Sequence, residues 1–285
     1  MKLLVTGATG KLGTKIVEHL LTKIAAEDLI VSVRDPKKAS DLASRGVEVR
    51  HGDFDAPDTL QQTFDGVDRL LIISTDGEEA TRIRQHTAAV EAAKAAGVGL
   101  IAYTSIANAE ASQNFLARTH QVTEQLIRET GIPFLFFRNN WYLENEQSTI
   151  DAVRAGQDWL TSAGNGKVGW ALQEDYAEAI ATVLVDPKPE QSIYELSGPL
   201  HTQQDIAEAL GQVLGRPVQV KQVDSATYTA IMQKAGVPEF LLPMLQSIQE
   251  GIAAGTLAVE SQDFERILGR SPVSLKDGLR KLVQE

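Results

Sequence analysis

The chain has 285 residues, 43% hydrophobic and 23% charged, with 27 basic against 38 acidic side chains and a formal net charge of −11, which suits one large α/β domain or a domain with a smaller lobe. The absence of cysteine excludes a disulfide scaffold, a thiolate metal site and a cysteine nucleophile, and the acidic surplus argues against a nucleic-acid-binding face. No apolar run approaches the roughly 18 residues of a membrane helix, and no signal-peptide pattern opens the chain, so a cytoplasmic protein is expected whose anionic ligands are held by a local site.

Leu3 to Thr6 is a short apolar strand that runs straight into glycines. Leu12, Ile16, Val17, Leu20 and Leu21 then recur at helical spacing, which predicts an amphipathic helix from about Lys11 to Lys23. Further strands are expected at Leu29–Val33, Val47–Arg50, Leu70–Ile73, Leu100–Tyr103 and Phe134–Phe137, with Asp35-Pro36 opening the helix after the second. A long alanine-rich helix, about Glu79–Ala96, stops at Gly97. It is either a homodimer face or lies wholly against the sheet. Six parallel strands with crossover helices make a doubly wound, Rossmann-like parallel sheet over residues 1–140. After Asn139 the alternation breaks. Ile193–Leu196 and Val218–Val223 read as short strands, Thr202–Leu214 as a helix ended by Gly215, and helices dominate from Ser225 onward. Residues 141–285 are expected to form a smaller C-terminal α/β lobe with segments returning to the sheet.

Thr6-Gly7-Ala8-Thr9-Gly10-Lys11-Leu12-Gly13 lies between the first strand and the first helix, the context in which a glycine pattern has meaning. Glycines there allow a tight turn, let a pyrophosphate approach the backbone and let the helix pack close to the strand. The helix N-terminus adds free N–H donors and a partial positive charge. Gly7, Thr9, Gly10, Lys11 and Leu12 are therefore the candidate phosphate loop; glycines that only close a turn are the alternative. About 20 residues on, where such folds read the adenosine ribose, stands Arg34, then Asp35. A guanidinium suits the 2′-phosphate of NADP, whereas Asp35 as ribose ligand would suit NAD. Asp53 either accepts from adenine, with Phe54 beside it, or caps its own turn. Ser74 and Thr75 stand at the carboxyl edge, as cofactor contacts or as a hydroxyl turn.

Together with Val33-Arg-Asp-Pro36, Gly52-Asp-Phe54, Ile101-Ala-Tyr-Thr-Ser105 and Arg138-Asn-Asn-Trp-Tyr-Leu-Glu-Asn145, the loop resembles the atypical short-chain dehydrogenase/reductase family. Within it the chain is most similar to the NmrA-like branch and its NADPH-dependent quinone oxidoreductase type 2 subgroup. The resemblance implies NADPH as cofactor and a quinone or similar small conjugated carbonyl as substrate, reduced by direct hydride transfer without flavin or metal. It also places Asn139 at the reaction centre, Trp141 and Tyr142 against cofactor and substrate, and Tyr103 and Glu144 among the cofactor residues. As bare sequence, Asn139 faces the crevice beyond the carboxyl edge or is a turn residue, Trp141 and Tyr142 are flat walls for an aromatic acceptor or packing between the lobes, and Tyr103 is core or, near its strand end, a neighbour of the cofactor.

The larger family relies on Tyr-x-x-x-Lys, and the helix that should carry it has His120-Gln-Val-Thr-Glu-Gln125 instead. Quinone reduction needs that pair less, because an electron-poor quinone accepts hydride readily. His120 is a proton-donor candidate by its ordinary pKa, or a solvated histidine on a surface helix. The remaining histidines lack metal-ligand spacing, and Lys167 reads as a solvated loop lysine or a second-lobe contact. The rival function is a non-catalytic NADP(H)-binding redox sensor of the NmrA type; a nucleotide-sugar epimerase ranks below both because its chemistry leans on the missing Tyr/Lys pair.

Overall fold

The computed structural model describes residues 1–112 and 116–284. Its chain divides into two compact units: Met1–Ala109, Arg118–Asn139 and Tyr176–Tyr194 form the first, and Glu110–Ala117, Asn140–Asp175 and Glu195–Glu285 the second. In chain order the elements are β1 (Leu3–Thr6), α1 (Lys11–Leu21), β2 (Leu29–Val33), α2 (Ser40–Ser44), β3 (Glu48–His51), α3 (Leu60–Phe64), β4 (Arg69–Ile72), α4 (Glu79–Ala95), β5 (Leu100–Ile106), α5 (Ala117–Glu129) and β6 (Phe134–Asn139). There follow α6 (Gln147–Arg154), β7 (Trp159–Thr161), β8 (Lys167–Val168), α7 (Gln173–Val185), β9 (Ile193–Leu196), β10 (His201–Thr202) and α8 (Gln203–Leu214). The last are β11 (Val220–Gln222), α9 (Ser225–Lys234), α10 (Leu242–Ala253), α11 (Asp263–Leu268) and α12 (Leu275–Gln284).

The main sheet has the order β3-β2-β1-β4-β5-β6-β9. Leu3 pairs in parallel with Leu29 on one side and Arg69 on the other, so the order reverses between β1 and β4. Ligands of such sheets bind outside the carboxyl ends at that switch point, which is where the glycine loop and Ser74 lie. Every residue of β1 and β2 is buried, as expected of strands covered on both faces.

Two features go beyond the sequence pattern. The sheet has seven strands rather than six: Phe136 N–H donates to Ser192 O and Asn140 N–H to Leu196 O, a constant offset that makes β9 a parallel neighbour of β6. In addition β5 and β6 continue past their apolar cores, pairing Ser105 with Arg138 and Ile106 with Asn139. Asn139 therefore ends a strand instead of following one. Thr104, Ser105 and Arg138 can be buried in strand because their polar atoms find partners.

The core of the first unit joins Leu4, Ile30, Leu70, Ile101, Tyr103 and Phe136 to Ala89, Val90 and Ala93 of α4. The alanine stripe thus packs in the sheet's core cluster. In the second unit Trp159, Trp170, Leu172, Ile206, Leu210, Leu279 and Leu282 form a separate core. Within it β10 pairs with β8 and β11 with β7, each two or three residues long, too short to show an alternating pattern. Helix α8 starts at a Thr202/Asp205 capping box and ends at left-handed Gly215. Among the described residues no helix is long and apolar enough to cross a membrane.

Candidate functional site

The glycine loop is built for close approach. Gly7 has φ +61° and accepts the Gly10 N–H at 3.0 Å. A Cβ on Gly13 would stand 2.1 Å from Gly7 O, so only glycine lets α1 lie this near β1. Gly10 caps α1 with no side-chain hydrogen bond, which leaves the first-turn N–H groups available to an anion. Thr9 and Lys11 are exposed, whereas the Leu12 side chain is buried and can offer only its backbone. Thr6 Oγ1 donates to Leu71 O at 3.2 Å and accepts from Ile73 N at 3.0 Å, fixing the two strand ends at the switch point. This uncapped, glycine-lined helix start fits a dinucleotide pyrophosphate.

At the end of β2 Arg34 is exposed. Asp35 instead accepts the Lys37 N–H at 3.1 Å and caps a 3₁₀ turn that begins with Pro36. Asp53 closes its own turn, its Oδ1 accepting the Asp55 N–H at 2.9 Å, while Phe54 packs half-buried against the core. Asp55 is held by Arg84 at 2.5 Å and Gln85 at 3.0 Å. The Arg84 bond, with Gln85 and the nearby charge of Arg34, keeps its carboxyl below the usual range.

The loop after β4 is pinned from below by a buried polar network. Ser74 N–H donates to Thr104 Oγ1 at 2.9 Å, and Thr75 N–H to His86 Nε2 at 3.0 Å. Thr123 Oγ1 donates to Thr119 O at 2.7 Å, so the 2.9 Å contact with His86 Nδ1 has the imidazole as donor. Both assignments agree on one neutral tautomer, inferred from the partners. Arg82 donates to Thr75 O at 2.6 Å and to His120 Nε2 at 3.2 Å, which leaves His120 Nδ1–H to donate to Tyr103 Oη at 2.8 Å. Burial, with the charge of Arg82, pushes His86 down to about 3 and His120 well below its ordinary value. Burial likewise raises the Tyr103 phenol and lowers the Arg82 guanidinium.

His120 is thus not a solvated surface histidine. It is 5% exposed, neutral and committed to Tyr103 and Arg82, so it is not poised to give up a proton. The Tyr103 side chain is 0% exposed and belongs to this network. Glu124, on the same helix, is buried against Arg138, Arg128 and Ser105.

Asn139 is 4% exposed and pairs in strand with its carbonyl accepting the Ala107 N–H. Next, Asn140 Nδ2 donates to Ser197 Oγ and Leu257 O, both at 3.0 Å. Tyr142 bridges to Ala171. Glu144, grouped with the cofactor residues by resemblance, accepts the Gln173 N–H on both carboxylate oxygens and so caps α7. Lys167 is exposed in β8. Trp141 is half-buried and donates its indole N–H to Glu146 Oε1 at 3.2 Å, where Trp170 donates a second at 3.1 Å. Sequence reasoning passed over Glu146, Arg82, His86 and Thr123. Part of their bonding lies far along the chain, joining Arg82 to His120, His86 to Thr123 and Glu146 to Trp170, and the local signal was an acid just after the Trp141-Tyr142 motif. A hollow lined by Leu100, Arg128, Ile132 and Phe134 opens where β5 and β6 begin, at the sheet edge away from the glycine loop.

The geometry can be set beside known proteins. Residues 1–262 match the NmrA-like family. Quinone oxidoreductase 2 of Escherichia coli (strain K12) is 34% identical over 279 residues, 98% of this chain and 97% of the relative. The NAD(P)H azoreductase of Xenophilus azovorans is 28% identical over 270 residues, 94% and 93% of the two chains. Among solved structures, Citrobacter sp. triphenylmethane reductase complexed with NADP(H) has a TM-score of 0.94 at 37% identity, covering 99% of this chain and 100% of that one. Escherichia coli NADPH-dependent quinone oxidoreductase complexed with NADPH has a TM-score of 0.94 at 34% identity, covering 99% of each. The chain belongs to the NmrA-like family.

Proposed function

We propose that this protein is an NADPH-dependent reductase that transfers hydride directly to a quinone or similar small conjugated carbonyl, without flavin or metal. The observation that carries the reading is the uncapped start of α1 behind Gly7 and Gly13, with Arg34 exposed at the end of β2 and Asp35 withdrawn into a cap. The names of the relatives, a quinone oxidoreductase and an azoreductase, support a flat conjugated acceptor. NADPH, when bound, supplies the hydride. Backbone N–H groups at Lys11 and Leu12 hold the pyrophosphate, and Arg34 pairs with the 2′-phosphate. The amide of Asn139 donates to the acceptor oxygen or fixes the nicotinamide ribose. Trp141 and Tyr142 give the acceptor flat apolar walls. With His86 and His120 committed elsewhere, these residues orient the reactants and exclude water.

NADPH consumption over a panel of benzo- and naphthoquinones tests the reading. Saturable turnover, lost in Asn139→Ala, is the expected result; tight NADPH binding with no turnover on any acceptor would instead establish a sensor. The 2′-phosphate assignment has its own check. Arg34→Glu is expected to weaken NADPH relative to NADH by about 100-fold, since a charge-assisted bidentate contact becomes repulsive. An unchanged ratio of the two dissociation constants refutes it.

A further inference from the structure

Hydride delivery leaves a hydroquinone one proton short, and the His86 and His120 imidazoles of the first unit are buried and committed. The second unit holds a carboxyl with the required surroundings. Glu146 Oε1 accepts two indole N–H groups, from Trp141 and Trp170. Among the described residues Oε2 has no hydrogen-bond partner and no cation pairs with the carboxyl. Such asymmetry matches a carboxylic acid rather than a carboxylate: Oε1 acts as the carbonyl, doubly accepting, and Oε2 carries the hydrogen. Tyr228 of α9, 5% exposed, is the titratable group beside it.

Resting on the reductase reading above, we propose that Glu146 is the acid that protonates the acceptor held against Trp141. Burial pushes its carboxyl up from 4.5 to about 7, and the two indole bonds offset this only in part, so the acid form persists into neutral solution. Tyr228 cannot replace it, because burial and the charge of Glu146 push that phenol up to about 12. In the step itself, hydride brings one proton and two electrons to the quinone and leaves the hydroquinone monoanion. Its oxyanion forms an O–H bond with the Oε2 hydrogen, the electron pair of the broken Oε2–H bond stays on the carboxylate, and water returns the proton. The sum is quinone, NADPH and one proton converted to hydroquinone and NADP⁺.

The three tryptophans of the chain make the test direct. In cofactor-free protein labelled for nitrogen NMR, the indole signals of Trp141 and Trp170 are expected to shift together with one midpoint near pH 7. That of Trp159, which donates to Gln203 Oε1, stays still and reports that the unit is folded. In Glu146→Gln both shifts vanish. Its kcat falls about 100-fold with little change in KM, and the loss of wild-type kcat as pH rises through about 7 disappears. Glu146→Asp, which keeps an acid, retains the pH dependence at reduced rate. A midpoint in the ordinary carboxylate range, or Glu146→Gln with the rate and pH profile of the wild type, overturns the role while leaving the reductase reading intact. A wild-type protein that consumes no NADPH with any quinone overturns that reading and this role together.

Discussion

Gly13→Ala is expected to abolish measurable NADPH binding and to lower stability by about 3 kcal/mol, the upper end for overpacking a tight contact. The added Cβ would stand 2.1 Å from Gly7 O, 2.9 Å from Gly7 C and 3.0 Å from Ala8 Cα. All three are backbone, so no rotamer change relieves the clash and α1 must move off β1. That motion takes the first-turn N–H groups away from the loop and breaks the contact between Thr14 Oγ1 and Ala8 O. Gly10→Ala is the control. Its Cβ would sit 3.3 Å from the same oxygen and its φ of −81° is open to any residue, so stability changes by about 1 kcal/mol or less. Urea unfolding and NADPH fluorescence titration of the two variants give the comparison. Equal midpoints and equal affinities would show that the close helix–strand contact does not shape the site.

What the sequence made legible follows from how far apart the determinants lie. The limits of β1, β2 and β9 are readable because each is a short, mainly apolar run followed within three residues by glycine or proline, and the glycine loop is readable because strand, loop and helix are contiguous. The ends of β5 and β6 are not. Thr104, Ser105 and Arg138 look like the start of loops, yet they stay in strand because Ser74, Glu124 and one another satisfy them. The same cause hides the character of His120: its partners Tyr103 and Arg82 come from β5 and α4, so nothing local distinguishes it from a solvated histidine. Glu144 also takes a partner the motif does not show: its carboxylate accepts the Gln173 N–H at the start of α7, 29 residues away. Glu146, unremarked in the sequence, gains its character from burial and from Trp170, 24 residues away, together with Trp141 nearby.

Arg138→Met carries the other large expected effect, a loss of about 3–5 kcal/mol, because it leaves Glu124 buried with its main counter-charge gone. The Glu124 side chain is 1% exposed and that of Arg138 7%. Arg138 donates from Nε to Oε1 at 3.0 Å and from Nη2 to Oε2 at 2.7 Å. Arg128, the second cation on Oε2, is 30% exposed and 3.1 Å away, so water screens it and it substitutes poorly. Glu124→Leu removes the carboxylate that Arg138 Nε and Nη2 both reach and is expected to cost a similar amount. The double variant should recover most of the loss, since an apolar pair of similar volume in place of a buried ion pair is often neutral. A coupling energy of about 2–3 kcal/mol in the cycle, read from urea midpoints, is the expected sign. Additive losses would mean that each side chain matters only for its own packing. The function should follow the same cycle. Arg138 precedes Asn139 in β6, and Ser105, which donates to Glu124 at 2.6 Å, pairs with Arg138 across β5. Losing the ion pair therefore loosens the strand end that presents Asn139. Arg138→Met should reduce kcat at temperatures where it is still folded, and the double variant should restore it only as far as it restores the register of β5 and β6.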